Sequence, residues 1–384
     1  MKWQSSFSYL PINYRSTLAV VKDLQQDVTF FNNLNGNALR IRFSNKYSTV
    51  PLRLASVKVS ADGKSWYQVT SNENSKITIP THEEFYSDPV KINTYAGQKI
   101  TIRISINGPQ KIESVCGFWA KGLASVRCFN TSKNYPMDRL YEFVAKDPSP
   151  LKGQFFYGFS SVQILTNDDA KLVVAFGDSI THMSFLTNAL TKRLNKKFPG
   201  TISLINAGIG GNRLVHDATW IPDAPGEGSL FGRAGVERFE NDVYQNNLSV
   251  DDVLILIGIN DLLHPLQFEY SKESTNYQYI QLGYQKIVEL AHKHHSKVFA
   301  GTISPCRSKN IDLSWLTTIE ENRKKVNEWI RKAAFFGAVI DYDRVLRDPN
   351  QQDRVKEGLT IGDGLHPNEI GGKLMADLIN VKQL

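Results

Sequence analysis

The sequence predicts an antiparallel β-sandwich or jelly roll followed by a three-layer α/β domain. Three observations lead there: period-two alternation over roughly the first 165 residues, uninterrupted apolar runs after residue 168, and the length of the chain. At 384 residues the chain exceeds the ~250–300 residues at which a single core stops growing, so two domains are expected. The boundary falls in the short polar stretch Thr166-Asn167-Asp168-Asp169, giving domains over 1–167 and 168–384.

In the first part Leu39, Ile41 and Phe43 alternate with polar neighbours, as do Ile100, Ile102, Ile104 and Ile106, Val57 and Val59, and Ile77 and Ile79. Turn signals stand between these runs at Asn35-Gly36, Asp62-Gly63, Ala96-Gly97 and Asn107-Gly108-Pro109. Alternation with frequent turns describes strands that bury one face, which is the pattern of a sandwich. In the second part the runs Leu172–Phe176, Ile202–Ile205, Val253–Ile257, Val298–Ile303 and Ala338–Ile340 do not alternate. Such strands are covered on both faces, as in a parallel sheet. Helical spacing separates them: Tyr277, Ile280, Tyr284, Ile287, Val288 and Ala291 form one series, and Ile319, Val326, Trp329, Ile330 and Ala333 another. Strand and helix in alternation predict the three-layer architecture. Ser161–Leu165 is still apolar and alternating, and no Gly/Ser- or Pro-rich linker follows. The two parts are therefore expected to pack together, with the first helping to form the mouth of the site.

Composition narrows the function little. The net charge is +7, but the 45 basic residues are scattered and no run of nucleic-acid-binding type occurs. Arg323-Lys324-Lys325 lies in a helical segment and reads as a solvated face. Cys116, Cys128 and Cys306 form no Cys-x-x-Cys unit and read as free thiols. The N-terminus has no apolar core of a signal peptide, and no stretch reaches the ~18 apolar residues of a membrane span. A soluble, cytoplasmic protein without nucleic-acid or membrane partners is expected.

Chemistry gathers at the ends of the predicted parallel strands. The first runs into Gly177-Asp178-Ser179 with a helical pattern behind it, which alone could be a helix cap. The second ends in Asn206-Ala207-Gly208-Ile209-Gly210-Gly211-Asn212, and the third in Gly258-Ile259-Asn260-Asp261. Near the C-terminus stands Asp363-Gly364-Leu365-His366-Pro367. Ligands of open α/β sheets sit at carboxyl strand ends, so these four segments can line one crevice. A serine at a helix start is a candidate nucleophile. A carboxylate three residues from a histidine can orient the imidazole that takes the serine proton. Glycine N–H groups and a carboxamide are candidate oxyanion donors.

These four segments, in this order over about 190 residues, resemble the four blocks of the SGNH (GDSL) hydrolase superfamily. The resemblance covers roughly residues 170–384. It implies a flavodoxin-like fold for the second domain and a serine esterase forming an acyl-enzyme. Ser179 then matches the nucleophile, Asp363 and His366 complete the triad, and Asn260 matches the oxyanion asparagine. The glycine donor matches Gly211 by its spacing from Asn206, with Gly210 as the alternative. No metal or organic cofactor is implied. The segments Ala38–Tyr47 and Arg238–Val243 are similar to a bacterial branch with a β-rich domain ahead of the catalytic one. Several members of that broader group remove acyl, often acetyl, groups from carbohydrates, which points to a small-molecule or glycan ester as substrate. A lysophospholipase or thioesterase would use the same triad, and a carbohydrate-binding protein built on the sandwich is the alternative of another class.

Other polar residues read as structural. His292, His294 and His295 fan around a helix end, where they complement its dipole rather than bind a metal. His182 and His264 flank the blocks and read as peripheral. Gly208–Gly211 lacks the Gly-x-Gly-x-x-Gly spacing of a dinucleotide loop.

Overall fold

The computed structural model describes residues 1–384 apart from 15–16, 131–152, 218–230, 246, 248, 268–275 and 309–312. The chain divides into two compact units. One comprises Met1–Pro148, Lys152–Lys171 and Leu194–Ile205; the other is built chiefly from Leu172–Arg193 and Asn206–Leu384.

The first part is antiparallel β structure in two main sheets. Lys99–Ile112 is the central strand of one sheet, pairing with Ala19–Phe31 on one side and Ser56–Ser60 on the other. Its Ile100, Ile102, Ile104 and Ile106 are fully buried, as alternation requires. The other sheet is organised around Gln154–Thr166, flanked by Lys2–Ser8, Gly36–Ser44 and Ser114–Phe118. The inner faces meet where Phe7 stacks on Phe30 at 4.5 Å. There the buried amide of Gln26 also exchanges two hydrogen bonds with the backbone of Tyr157. One expected turn is different: Asn107-Gly108-Pro109 is a bulge inside Lys99–Ile112, with the register shifting between Ile106 and Pro109. Gly108 has φ +70° and donates to the Asp23 carboxylate opposite, so the strand bends without ending. Proline is tolerated there because a bulge does not need its missing N–H.

The second part contains a five-stranded sheet. Numbered along the chain, its strands are Lys171–Gly177, Ile202–Gly208, Asp252–Leu256, Lys297–Gly301 and Ala338–Ile340. Their order across the sheet is 2-1-3-4-5, and strands 1/3, 3/4 and 4/5 pair in parallel. This is the flavodoxin-like order, whose crevice opens beside strand 1 where the direction of winding reverses. Strands 2 and 3 are buried at every residue, which explains why their sequence does not alternate. Helices Gly235–Tyr244, Tyr277–Lys293 and Leu313–Lys332 pack in a row. Phe185–Lys197 is held against Glu369–Asp377 by Arg193, which donates to the carbonyls of Ala376 and Ile379. The three thiols are free, with Cys116 and Cys306 buried. Among the described residues no helix is long and apolar enough to cross a membrane.

Candidate active site

Strand 1 delivers Gly177 and Asp178, and a four-residue helix begins at Ser179. Asp178 caps that helix by accepting from the Ile180 N–H at 3.0 Å. It is fully buried; burial pushes its carboxyl up to about 7, against the pull of that N–H and of the His366 and Arg238 charges.

Strand 2 ends beside this turn. Asn206 donates to the Thr181 carbonyl at 2.6 Å, and its side-chain oxygen receives the Gly208 N–H. Gly208 approaches so closely that a Cβ would lie 2.4 Å from the His182 nitrogen, so only glycine fits. The chain then turns back over the helix. The Ile209 N–H bonds the Gly177 carbonyl, and the Gly210 N–H donates to His182 Nδ1 at 3.1 Å. Gly211 takes φ +70° beneath Phe231, whose ring stands 2.2 Å from where a Cβ would be. Among the described residues the Gly211 N–H has no acceptor.

After strand 3 the chain goes directly into helix Ile259–Gln267, with Asn260 and Asp261 in its first turn. Asp261 accepts from the N–H groups of Leu214 and Val215, clamping the segment that follows Gly211. The Asn260 amide donates to the Asn212 carbonyl at 3.0 Å. Gly211 and Asn260 are thus joined to each other through Asn212. One helical turn beyond Asn260 is His264, lying against the Phe231 ring at 5.3 Å. Burial, aided by Arg213, pushes the His264 imidazole down to about 3, so it is neutral.

The fourth block closes the arrangement. Asp363 Oδ1 accepts the N–H groups of Leu365 and His366, which folds the loop around the carboxylate. Its Oδ2 meets His366 Nδ1 at 2.6 Å, and His366 Nε2 meets Ser179 Oγ at 2.7 Å. Burial opposes ionisation of Asp363, but the His366 ring and the two N–H groups outweigh it and hold the carboxyl below its usual range. With Nδ1 carrying its proton toward Asp363, Nε2 is left as an acceptor for the serine hydroxyl.

Ser179, His366 and Asp363 are therefore in direct contact, while Gly211 and Asn260 belong to a second group tied to strand 1 through Gly208 and Ile209. His182 and His264 are not peripheral: each is at least 95% buried, at 2% and 5% relative exposure, and packed against a block. Nothing in the sequence pairs His182 with Gly210, 28 residues later. His294 stacks on Tyr244 and bonds Glu240, away from these residues.

Fold and site together define a doubly wound α/β protein with a hydrogen-bonded serine, imidazole and carboxylate at its strand ends. Residues 175–374 match the GDSL-like lipase/acylhydrolase family, and the chain belongs to that family. No curated protein sequence matches it. Among solved structures it is similar to a GDSL-like lipase from Bacteroides thetaiotaomicron (20% identity, TM-score 0.39, 56% of this chain and 87% of that one). It is also similar to a carbohydrate acetylesterase from Sinorhizobium meliloti (18%, 0.39, 55% and 97%). A third is an acetyl xylan esterase from Geobacillus stearothermophilus (16%, 0.38, 54% and 91%).

Proposed function

We propose that this acylhydrolase is a serine esterase that cleaves short-chain carboxylic esters, in particular O-acetyl groups on carbohydrate. The observation that carries the reading is the His366 ring bridging Ser179 Oγ at 2.7 Å and Asp363 Oδ2 at 2.6 Å. His366 Nε2 accepts the hydroxyl proton as Oγ attacks the ester carbonyl carbon. The oxyanion accepts from the N–H of Ser179, the N–H of Gly211 and the second N–H of the Asn260 amide, the first being spent on Asn212. Gly210 is the weaker candidate because its N–H is already given to His182. Collapse expels the alcohol, which takes the proton from His366. Water, deprotonated by His366, then attacks the acyl-enzyme and releases the acid and Ser179.

Two features support a small acyl group and a sugar. The Phe231 ring lies directly against Gly211, one of the proposed oxyanion donors. Ala38–Tyr47 and Arg238–Val243 resemble a bacterial branch of a broader group in which several members remove acyl groups from carbohydrates. A panel of p-nitrophenyl acetate, butyrate, octanoate and palmitate with acetylated sugars tests the reading. We expect kcat/KM to be highest on acetate and to fall about tenfold or more toward long chains. A preference for long chains would instead mark a lysophospholipase or thioesterase, and no hydrolysis of any ester would end the proposal.

A further inference from the structure

We propose that Arg238 is a positioning residue for the esterase reaction, holding the nucleophile turn and the oxyanion donors in register. The inference rests on the assignment of Ser179, Gly211 and Asn260 above. Arg238 lies in helix Gly235–Tyr244, outside the four blocks, and is buried at 5% exposure. Its guanidinium joins the first two of those blocks directly. Nη2 donates at 2.9 Å to the carbonyl of Gly177, two residues before Ser179. Nη1 donates at 3.1 Å to the carbonyl of Ala207, at the end of strand 2. Nε donates at 2.9 Å to the side-chain oxygen of Asn212, the residue after Gly211. The backbone carbonyl of that same Asn212 holds Asn260, and its side-chain amide donates to the carbonyls of Phe231 and Arg233. Displacing Arg238 therefore removes the side-chain tie between the glycine loop and strand 1, leaving the Ile209 N–H bond to Gly177, and loosens the residue on which Asn260 is anchored.

The site is built for this one side chain. Asp242, one turn further along the helix, receives Nη1 at 2.9 Å and neutralises the charge. The Phe176 ring of strand 1 faces the guanidinium at 4.1 Å, and Phe239 stands edge-on to that ring. A planar fork with fixed donor directions can reach three acceptors on two segments at once, whereas an ammonium on a flexible stem cannot hold all three. A buried ion pair is poor value for stability compared with apolar packing. What the fork supplies here is geometry, and oxyanion donors act only if they stand at hydrogen-bond distance from where the charge develops.

The test uses Arg238→Lys and Arg238→Met with p-nitrophenyl acetate and with phenylboronic acid. The boronic acid adds Ser179 Oγ to boron, the hydroxyl proton passing to His366, and the tetrahedral adduct turns an oxygen toward the oxyanion donors. We expect kcat to fall about 10- to 100-fold, with KM within about twofold of wild type. The boronate Ki should rise by the same factor as kcat falls. A residue that merely stabilises the fold would lower the melting temperature and leave kcat and Ki per folded molecule unchanged, and that outcome overturns the proposal. Arg238→Lys keeps the charge beside Asp242 and decides the matter if Arg238→Met does not fold. If the wild type neither hydrolyses the ester nor binds the boronate, the esterase assignment itself fails. A wild type that does both, with variants that match it, leaves that assignment standing and removes Arg238 from it.

Discussion

Asp178 carries two demands on one carboxylate: it caps the helix that begins at Ser179, and it does so fully buried. The capping role is legible in the sequence, since aspartate before a helix start is a common cap. The burial is not, because it depends on strand 2 and helix Gly235–Tyr244 closing over the turn. With the folded pKa at about 7 and the unfolded value near ~4, the folded chain binds more protons across that window. Stability contributed by neutral Asp178 is complete below about pH 4 and lost as pH rises through 7. Asp178→Asn keeps the acceptor for Ile180 and cannot ionise. Its melting temperature relative to wild type should therefore climb from pH 4.5 to 7 and level off above. A difference that is constant with pH would show that Asp178 does not carry this shift. Ser179, Asp363 and His366 were legible as candidates because the four segments together resemble the blocks of a known family, and their side chains stand in contact. His182 and Arg238 were not, since what they do is decided by partners 26 or more residues away.

At the scale of elements, the parallel strands were readable because a strand covered on both faces has no polar alternation to keep. Helix Ile259–Gln267 was harder to read. It starts at a glycine-containing strand end and contains Pro265, so the helical spacing of Ile259, Leu262, Leu263 and Leu266 spans too short a run to announce it. Yet this helix presents Asn260 toward Asn212 and sets His264 against Phe231. Asn260→Ala is expected to lower kcat by about 10²–10³ with KM little changed, because an oxyanion donor acts in the transition state. A defect confined to KM would make Asn260 a ground-state binding group. The bulge at Asn107–Pro109 has the same cause as the hidden helix. Turn-type residues were visible, but whether the chain reverses there or only bends is decided by Asp23 on the opposite strand.

For the whole molecule, length and the change of texture near residue 168 were enough to predict β structure followed by an α/β fold, while the charge of +7 predicted nothing about the site. What composition cannot express is convergence: four segments spread over about 190 residues end within reach of one another because the 2-1-3-4-5 order brings the carboxyl ends of strands 2 and 3 to either side of strand 1. We propose that this convergence makes Ser179 a nucleophile activated by His366. Labelling with a fluorophosphonate, followed by peptide mapping and an assay on p-nitrophenyl acetate, tests it most directly. One label is expected, on Ser179, abolishing ester hydrolysis. Folded Ser179→Ala and His366→Ala should take no label and keep no more than about a hundredth of wild-type turnover. A label on another residue, or a folded Ser179→Ala variant that still turns over ester near the wild-type rate, would contradict it.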